Sequence, residues 1–413
     1  MQPRFIHFIF VSAIWLCTSV SSAKIEIPFY TPSGATTESS RTYKELVDIF
    51  ESYNPDIKIL FRPANNYNDV LNTVIALAKR KKSSGVSIIE ISELLTLKDS
   101  DAIIPLDAFI AKRRSFLSQF KPAFLENSYA ENGALYGIPV FRSTPVILYN
   151  LDLLQTVGVG KSNLPKSWDE LTELLIQLKE ETGRAQFTLP GDWTEWIFEA
   201  FVIQNGGALA NPSNTEVWFD KPTTIEALSY WKMLNQKGLL RQMRNWKGSL
   251  NYFTYFGKSA VTYYSSGGMH FVSEKAKFNW TSSFMPKNVQ FGTPVGGANL
   301  FISKHMSERE QEAAWTFVEF LLQTENQVKI SKATGYFPVT EAAFETPELK
   351  RVYEDHAFAV NKEQLEFSRP KIMTRNYVKV RELLKEAIND ALNNDMSAKA
   401  ALEKAQKKAQ AWL

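Results

Sequence analysis

The sequence predicts an α/β protein built as two doubly wound lobes with a crevice between them. Three observations lead there. Strand-like and helix-like segments alternate from the amino end, an order that calls for right-handed crossovers and a largely parallel sheet covered by helices. At roughly 150 residues per domain, 413 residues suggest two or three domains. The β-like runs 136–140 and 146–150 offer a place for the chain to leave one lobe and enter another. With 44% hydrophobic and 22% charged residues the composition is globular, which excludes a disordered, collagen-like or polytopic membrane chain. A net charge of +3 is too small to argue for nucleic acid.

The amino end reads as an export signal. Arg4 supplies a positive charge, Phe5 to Leu16 is nearly all apolar, and Ser21-Ser22-Ala23 gives the small residues a signal peptidase needs. Cleavage after Ala23 is expected, with the chain starting at Lys24. The apolar run is short for a membrane span, and an uncleaved anchor is the alternative. The sole cysteine, Cys17, lies inside the signal behind the bulky Leu16, so lipidation is not expected and the exported chain has no disulfide.

The elements then follow in order. Residues 24–29 alternate and end in Pro28-Phe29-Tyr30, a first strand opening into a polar loop. Tyr43, Leu46, Val47, Ile49 and Phe50 put an apolar face on a helix over 42–53, which Asn54-Pro55-Asp56 stops. A strand at 57–61, a helix at 67–82 and a short buried strand at 86–91 complete the first unit. Ser167 caps a helix over 168–181, with Glu170 three residues on. A helix from near Trp193 ends at Gly206-Gly207, and 222–237 is helical up to Gly238. Strands are expected at 259–264 and 298–302 and helices at 307–322, 378–392 and 397–412. No repeat or low-complexity linker divides the chain.

Catalytic templates are missing. There is no GxSxG, HExxH, phosphate-loop or repeated CxxC pattern, and His270, His305 and His356 are far apart. Aromatic, hydroxyl and glycine residues recur instead at strand ends. Tyr67 stands just before a helix and Glu93 just after a strand, where both can face a crevice above the carboxyl ends of the strands. Trp193 and Trp196, one helical turn apart, share a face if one helix includes both; they are either core or a flat platform for the carbon face of a polyol or sugar. Ser265-Ser266-Gly267-Gly268 is either a plain turn or a source of hydroxyls and amides for a ligand.

Taken in order, IPFY (27–30), FESYNPDIKI (50–59), NNYND (65–69), SE (92–93), GIPVFRSTPVILYN (137–150), LPKSWDEL (164–171), DWTEWI (192–197), NG (205–206), TYYSSG (262–267), VGGANLFI (295–302) and TGYFPVT (334–340) resemble the solute-binding proteins of bacterial ATP-binding-cassette importers. The class is the large sugar-binding one that includes maltose-binding protein, and the likeness is greatest to its glycerol-3-phosphate-binding branch. The resemblance implies two α/β lobes joined by a hinge and closing on a ligand: 24–145 and 291–340 in lobe 1, 146–290 and most of 341–413, with the C-terminal helices, in lobe 2. Carried over by position, the pocket uses Tyr67, Glu93, Ser143, Trp193, Trp196, Ser266, Gly297 and Tyr336. The phosphate-binding arginine of that branch falls in a stretch resembling Lys371-Ile372-Met373-Thr374-Arg375-Asn376, where an ungapped match gives Met373. A two-residue adjustment brings in Arg375 or Lys371, and the guanidinium fork favours Arg375.

The expected function is a periplasmic receptor, not an enzyme, without cofactor or metal. It would be a monomer delivering glycerol-3-phosphate, a glycerophosphodiester or another small hydroxylated solute to two permease subunits and a cytoplasmic ATPase. The alternatives are a receptor for a neutral sugar, oligosaccharide or polyol, a secreted enzyme acting on carbohydrate or phosphate esters, and a binding fold diverted to sensing or adhesion.

Overall fold

The computed structural model describes residues 24–113 and 115–413. The expected signal peptide and Cys17 lie outside them. Among the described residues no helix is long and apolar enough to cross a membrane.

Among the described residues twelve strands are formed: β1 (Ile25–Thr31), β2 (Ile57–Pro63), β3 (Val86–Glu90), β4 (Ile138–Ser143), β5 (Pro145–Asn150), β6 (Phe187–Pro190), β7 (Leu240–Met243), β8 (Val261–Ser265), β9 (Trp280–Ser283), β10 (Thr293–Pro294), β11 (Gly296–Ile302) and β12 (Ser368–Arg369). They build one sheet of order β2-β1-β3-β11-β4, a second of order β7-β6-β8-β5-β9, and a small β10-β12 pair. The sheets share a plan. β1 runs parallel to β2 and β3, whereas β11 is antiparallel to both β3 and β4. In the second sheet β6 runs parallel to β7 and β8, whereas β5 is antiparallel to β8 and β9. Each sheet therefore carries one reversed strand. The reversal goes with the connectivity: β5 starts one residue after β4 of the other sheet and β11 one residue after β10, and both run against the other four strands of their sheets.

That edge positions the site. Thr144 alone links the carboxyl end of β4 to the start of β5, and Val295 alone links β10 to β11. The carboxyl edges of the two sheets thus face each other across short crossings, the place where open α/β sheets bind ligands.

Each lobe has its own core. Phe29, Tyr43, Leu46, Phe50, Ile88, Leu300, Trp315 and Phe317 pack the first. The second gathers Ile147, Tyr149, Trp168, Phe187, Phe201, Trp231 and Tyr263, and takes in Tyr377, Leu384, Ile388 and Leu402 from the last two helices. Those helices, Tyr377–Asn393 and Ala398–Gln410, bury a periodic apolar stripe and leave their lysines outside. Helix Trp168–Thr182 starts as its sequence requires, with Ser167 accepting the Glu170 N–H at 3.2 Å, and ends at Gly183 with φ 68°.

Candidate functional site

Most of the site side chains follow the carboxyl ends of strands. Tyr67 opens helix Tyr67–Lys79 after β2, with Asn66 accepting the Asp69 N–H as its cap. Glu93 closes a one-turn helix, Ile91–Glu93, directly after β3. Ser143 is the last residue of β4. Trp193 and Trp196 come after β6, and Ser266 after β8.

The crossings bring these residues together. The Ser266 N–H donates to the Thr144 carbonyl at 2.9 Å, and the Thr144 N–H donates to Ser266 Oγ at 3.2 Å. Tyr336 packs against Phe141 with ring centroids 4.6 Å apart. A Cβ added to Gly267 would lie 2.9 Å from the Tyr336 ring, so the Ser-Ser-Gly-Gly turn lies tight against Tyr336. Burial first, and then the neighbouring Tyr336, hold the Tyr67 phenol well above its ordinary range. Trp196 Nε1 donates to the Val295 carbonyl at 3.3 Å. Gly296 lies under the same indole, where a Cβ would be 2.5 Å from the ring and 3.0 Å from Ser143 Oγ. Gly297 has φ 105°, and a Cβ there would meet the Phe141 carbonyl oxygen at 2.4 Å. Its glycine is required by backbone packing whatever the ligand.

The tryptophan pair is arranged differently from the sequence expectation. Trp193 is the cap residue before helix Thr194–Gln204, so the indoles do not share a helical face. They meet edge to face, 86° apart with centroids 6.3 Å apart, and Tyr264 lies 5.5 Å from Trp193.

A nest of buried charge lies beside this aromatic group. Lys371 Nζ donates to Glu90 Oε1 at 3.0 Å and lies over the rings of Trp196 and Tyr377, 5.9 and 5.2 Å from their centroids. Burial works against its charge, but Glu90, Tyr377, Glu195 and Glu199 outweigh it and hold the ammonium above its usual range. Glu199 Oε1 accepts the Ile372 N–H at 2.7 Å, and burial pushes its carboxyl up to about 8 against the pull of Lys371. Glu93 is pushed up to about 7 by burial and then by Glu90. Arg381 Nε lies 4.0 Å from Glu195 Oε1, with its guanidinium 5.6 Å from the Tyr377 ring centroid. One oxygen each of Glu93, Glu195 and Glu199, the Tyr377 hydroxyl and Arg381 Nε are buried without a protein partner. Buried polar groups are normally satisfied, so this concentration marks a place where a polar ligand or water belongs.

The cation of choice has to be corrected. Arg375 does not enter the cleft: its side chain is 46% exposed, donates to Glu131 at 2.9 Å and lies 3.6 Å from Asp99. Met373, two residues earlier, is buried in the cluster that includes Val70, Leu71 and Val74. The fold brings Lys371 to Trp196 instead, with Arg381 beyond it. Glu195, Glu199 and Arg381 went unnoticed in the sequence. A signal for the first two was present: they are the acids, four apart, of the otherwise apolar stretch Thr194–Gln204, and both are buried.

Comparison with known proteins then decides the family. Residues 45–359 match the family described as bacterial extracellular solute-binding protein. The chain belongs to that family. The solute-binding protein is 26% identical over 427 residues to the sn-glycerol-3-phosphate-binding periplasmic protein of Pectobacterium atrosepticum, with 97% of this chain and 94% of the relative covered. In three dimensions it is similar to the cyclic α-maltosyl-1,6-maltose binding protein of Arthrobacter globiformis, with a TM-score of 0.81 at 21% identity over 94% of this chain and 99% of the other. It is equally similar to UgpB of Mycobacterium tuberculosis in complex with glycerophosphocholine, with a TM-score of 0.81, 21% identity, and 94% and 98% coverage. The two-lobed fold is thus that of the maltose-binding type, and the protein is a solute-binding component of the kind that serves ATP-binding-cassette importers.

Proposed function

We propose that this protein is the periplasmic receptor for glycerol-3-phosphate or a glycerophosphodiester and presents it to two permease subunits and their ATPase. The observation that carries the reading is the meeting, at one crevice, of an indole platform, several hydroxyls and a buried cation. In this assignment Trp193 and Trp196 cover the glycerol carbons, Glu93, Tyr67, Ser143, Ser266 and Tyr336 hold hydroxyls, and Lys371 with Arg381 faces the phosphate. The names of the curated relatives support the phosphate. Lobe 1 is taken as 24–145 with 291–340, and lobe 2 as 146–290 with most of the remainder. A ligand touching both would stabilise the closed state that the permease reads.

One observation favours a second reading, a neutral sugar or polyol. Lys371 is already paired with Glu90 and faces Glu195 and Glu199, so much of its charge is compensated before a phosphate arrives. Mass spectrometry of the solute retained by protein released gently from the periplasm separates the two. A phosphate ester of glycerol is expected; a phosphorus-free saccharide would transfer the proposal to the second reading.

A further inference from the structure

The buried charges beside Trp196 do not balance. Glu90, Glu195 and Glu199 face Lys371, and Glu90, Glu93 and Glu195 face Arg381. Four carboxyls against two cations leave negative charge in excess when all are ionised, at the place where an anion is to arrive. Little water reaches them: Glu93, Glu195 and Glu199 are 2, 5 and 4% exposed. Glu195 and Glu199 share a small cavity with Tyr377 and Arg381, and its other walls are apolar, Leu209, Phe219 and Leu384 among them. One oxygen of each acid, the Tyr377 hydroxyl and Arg381 Nε have no protein partner there. An uncompensated carboxylate in such surroundings is costly, and a proton removes the cost.

The cations are already engaged. Lys371 Nζ donates to Glu90 at 3.0 Å, and Arg381 Nε lies 4.0 Å from Glu195 and 3.6 Å from Glu382. A phosphate brought to them adds like charge beside the carboxyls, which raises the proton affinity of each. Glu199 is placed to respond. Its Oε1 accepts the Ile372 N–H at 2.7 Å, which fixes it one residue from Lys371, while Oε2 has no partner and can carry a hydrogen. Lys371 opposes protonation of Glu199, and Glu90 and Glu195 favour it; Lys371, Arg381 and Lys385 oppose protonation of Glu195. Burial already lifts Glu199 to about 8 and Glu93 to about 7, and it raises Glu195 as well. Burial also holds the Tyr377 phenol above its ordinary range, so it stays neutral where these acids titrate.

Resting on the glycerol-phosphate reading, we propose that Glu199, with Glu195 beside it, selects ligand charge: the phosphate enters together with protons taken up by these carboxyls, and each added negative charge on the ligand calls for more of them. Protons taken up on binding make affinity fall as the pH rises through the values of the unliganded carboxyls. A monoester, with two negative charges, is then more sensitive to pH than a diester, with one.

The test is calorimetric titration of ligand-free wild type and E199Q with glycerol-3-phosphate and glycerophosphoglycerol between about pH 7.5 and about pH 9.5, a range above the second phosphate pKa of about 6. Wild-type affinity for glycerol-3-phosphate should fall by about tenfold across it and that for the diester by less, while E199Q holds both within about threefold. Wild type titrated near the middle of the range in two buffers of different ionisation heat should show net proton uptake, a readout that depends on no variant. Binding without proton uptake, an equal pH dependence for the two ligands, or an equally steep fall in folded E199Q would overturn the charge selection while the phosphate reading stands. Wild-type protein that binds neither ligand at any pH would contradict the phosphate reading itself.

Discussion

Glu90 and Lys371, 281 positions apart in the sequence, meet at 3.0 Å with 15% and 8% of their side chains exposed. Glu90 ends a strand of the first sheet, and Lys371 follows the small β10-β12 pair and precedes the helix Tyr377–Asn393 of the second core. The ion pair therefore joins the end of β3 to the segment between β12 and the helix Tyr377–Asn393. Removing one partner of such a pair leaves the other charge buried and uncompensated.

K371Q is accordingly expected to lower stability by about 3 kcal/mol in denaturant unfolding and to weaken the phosphorylated ligands strongly. R375Q should change stability by less than about 1 kcal/mol, since its partners are on the surface, and should leave affinity unaltered. The reverse ranking of the two variants in a binding titration would return the phosphate contact to Arg375.

Glu199 gives a pH prediction. Its folded carboxyl is raised to about 8 from an ordinary carboxylate value, so between those pH values the folded state holds a proton that the unfolded chain has lost. Stability from this group is complete below the unfolded pKa and is lost as the pH rises through the folded one. The groups facing it are Lys371, which opposes the shift, and Glu90 and Glu195, which reinforce it. E199Q mimics the protonated form. Its melting temperature should match wild type at pH 5 and exceed it at pH 9, by the equivalent of on the order of 1 kcal/mol. A loss at pH 9 would mean that the charged carboxylate is the stabilising form.

Gly297 tests the crossing itself. With φ 105° and only 2.4 Å between a would-be Cβ and the Phe141 carbonyl, G297A should cost about 2 kcal/mol or more, read from urea unfolding. Wild-type stability would show that the turn into β11 relaxes freely.

Export can be checked at the amino end. β1 begins at Ile25, which pairs with Ile57, so cleavage after Ala23 leaves the first sheet whole. Mass spectrometry of the periplasmic fraction should find Lys24 as the first residue; recovery of uncleaved chain in the membrane fraction would contradict the signal-peptide assignment.

What the sequence revealed follows from which signals are local. The helix carrying Tyr43, Leu46, Val47 and Phe50, and the cap at Ser167, are set by neighbours within a turn or two; the cap appears where expected, and the helix ends at Tyr53 as expected but begins at Glu38, a turn earlier. The strands at 187–190, 240–243 and 280–283 were missed because they are short and, for Phe187–Pro190, buried on both faces, so no alternation marks them. The reversed strands β5 and β11 depend on how the chain crosses between lobes, which no local pattern encodes. The charge nest was hidden for the same reason: Glu90, Glu195, Lys371 and Arg381 come from distant segments, and only their burial tells them from the surface charges that surround them in sequence.

The central claim, a crevice that binds phosphorylated glycerol through Lys371 and the indole platform, is tested most directly by calorimetry on wild-type protein stripped of ligand. Glycerol-3-phosphate, glycerophosphocholine, glycerol and maltose should be titrated at low and moderate salt. Saturable binding of the phosphorylated ligands well above that of glycerol and maltose, weakening as salt rises, is the predicted result. Equal or tighter binding of maltose or glycerol would contradict it.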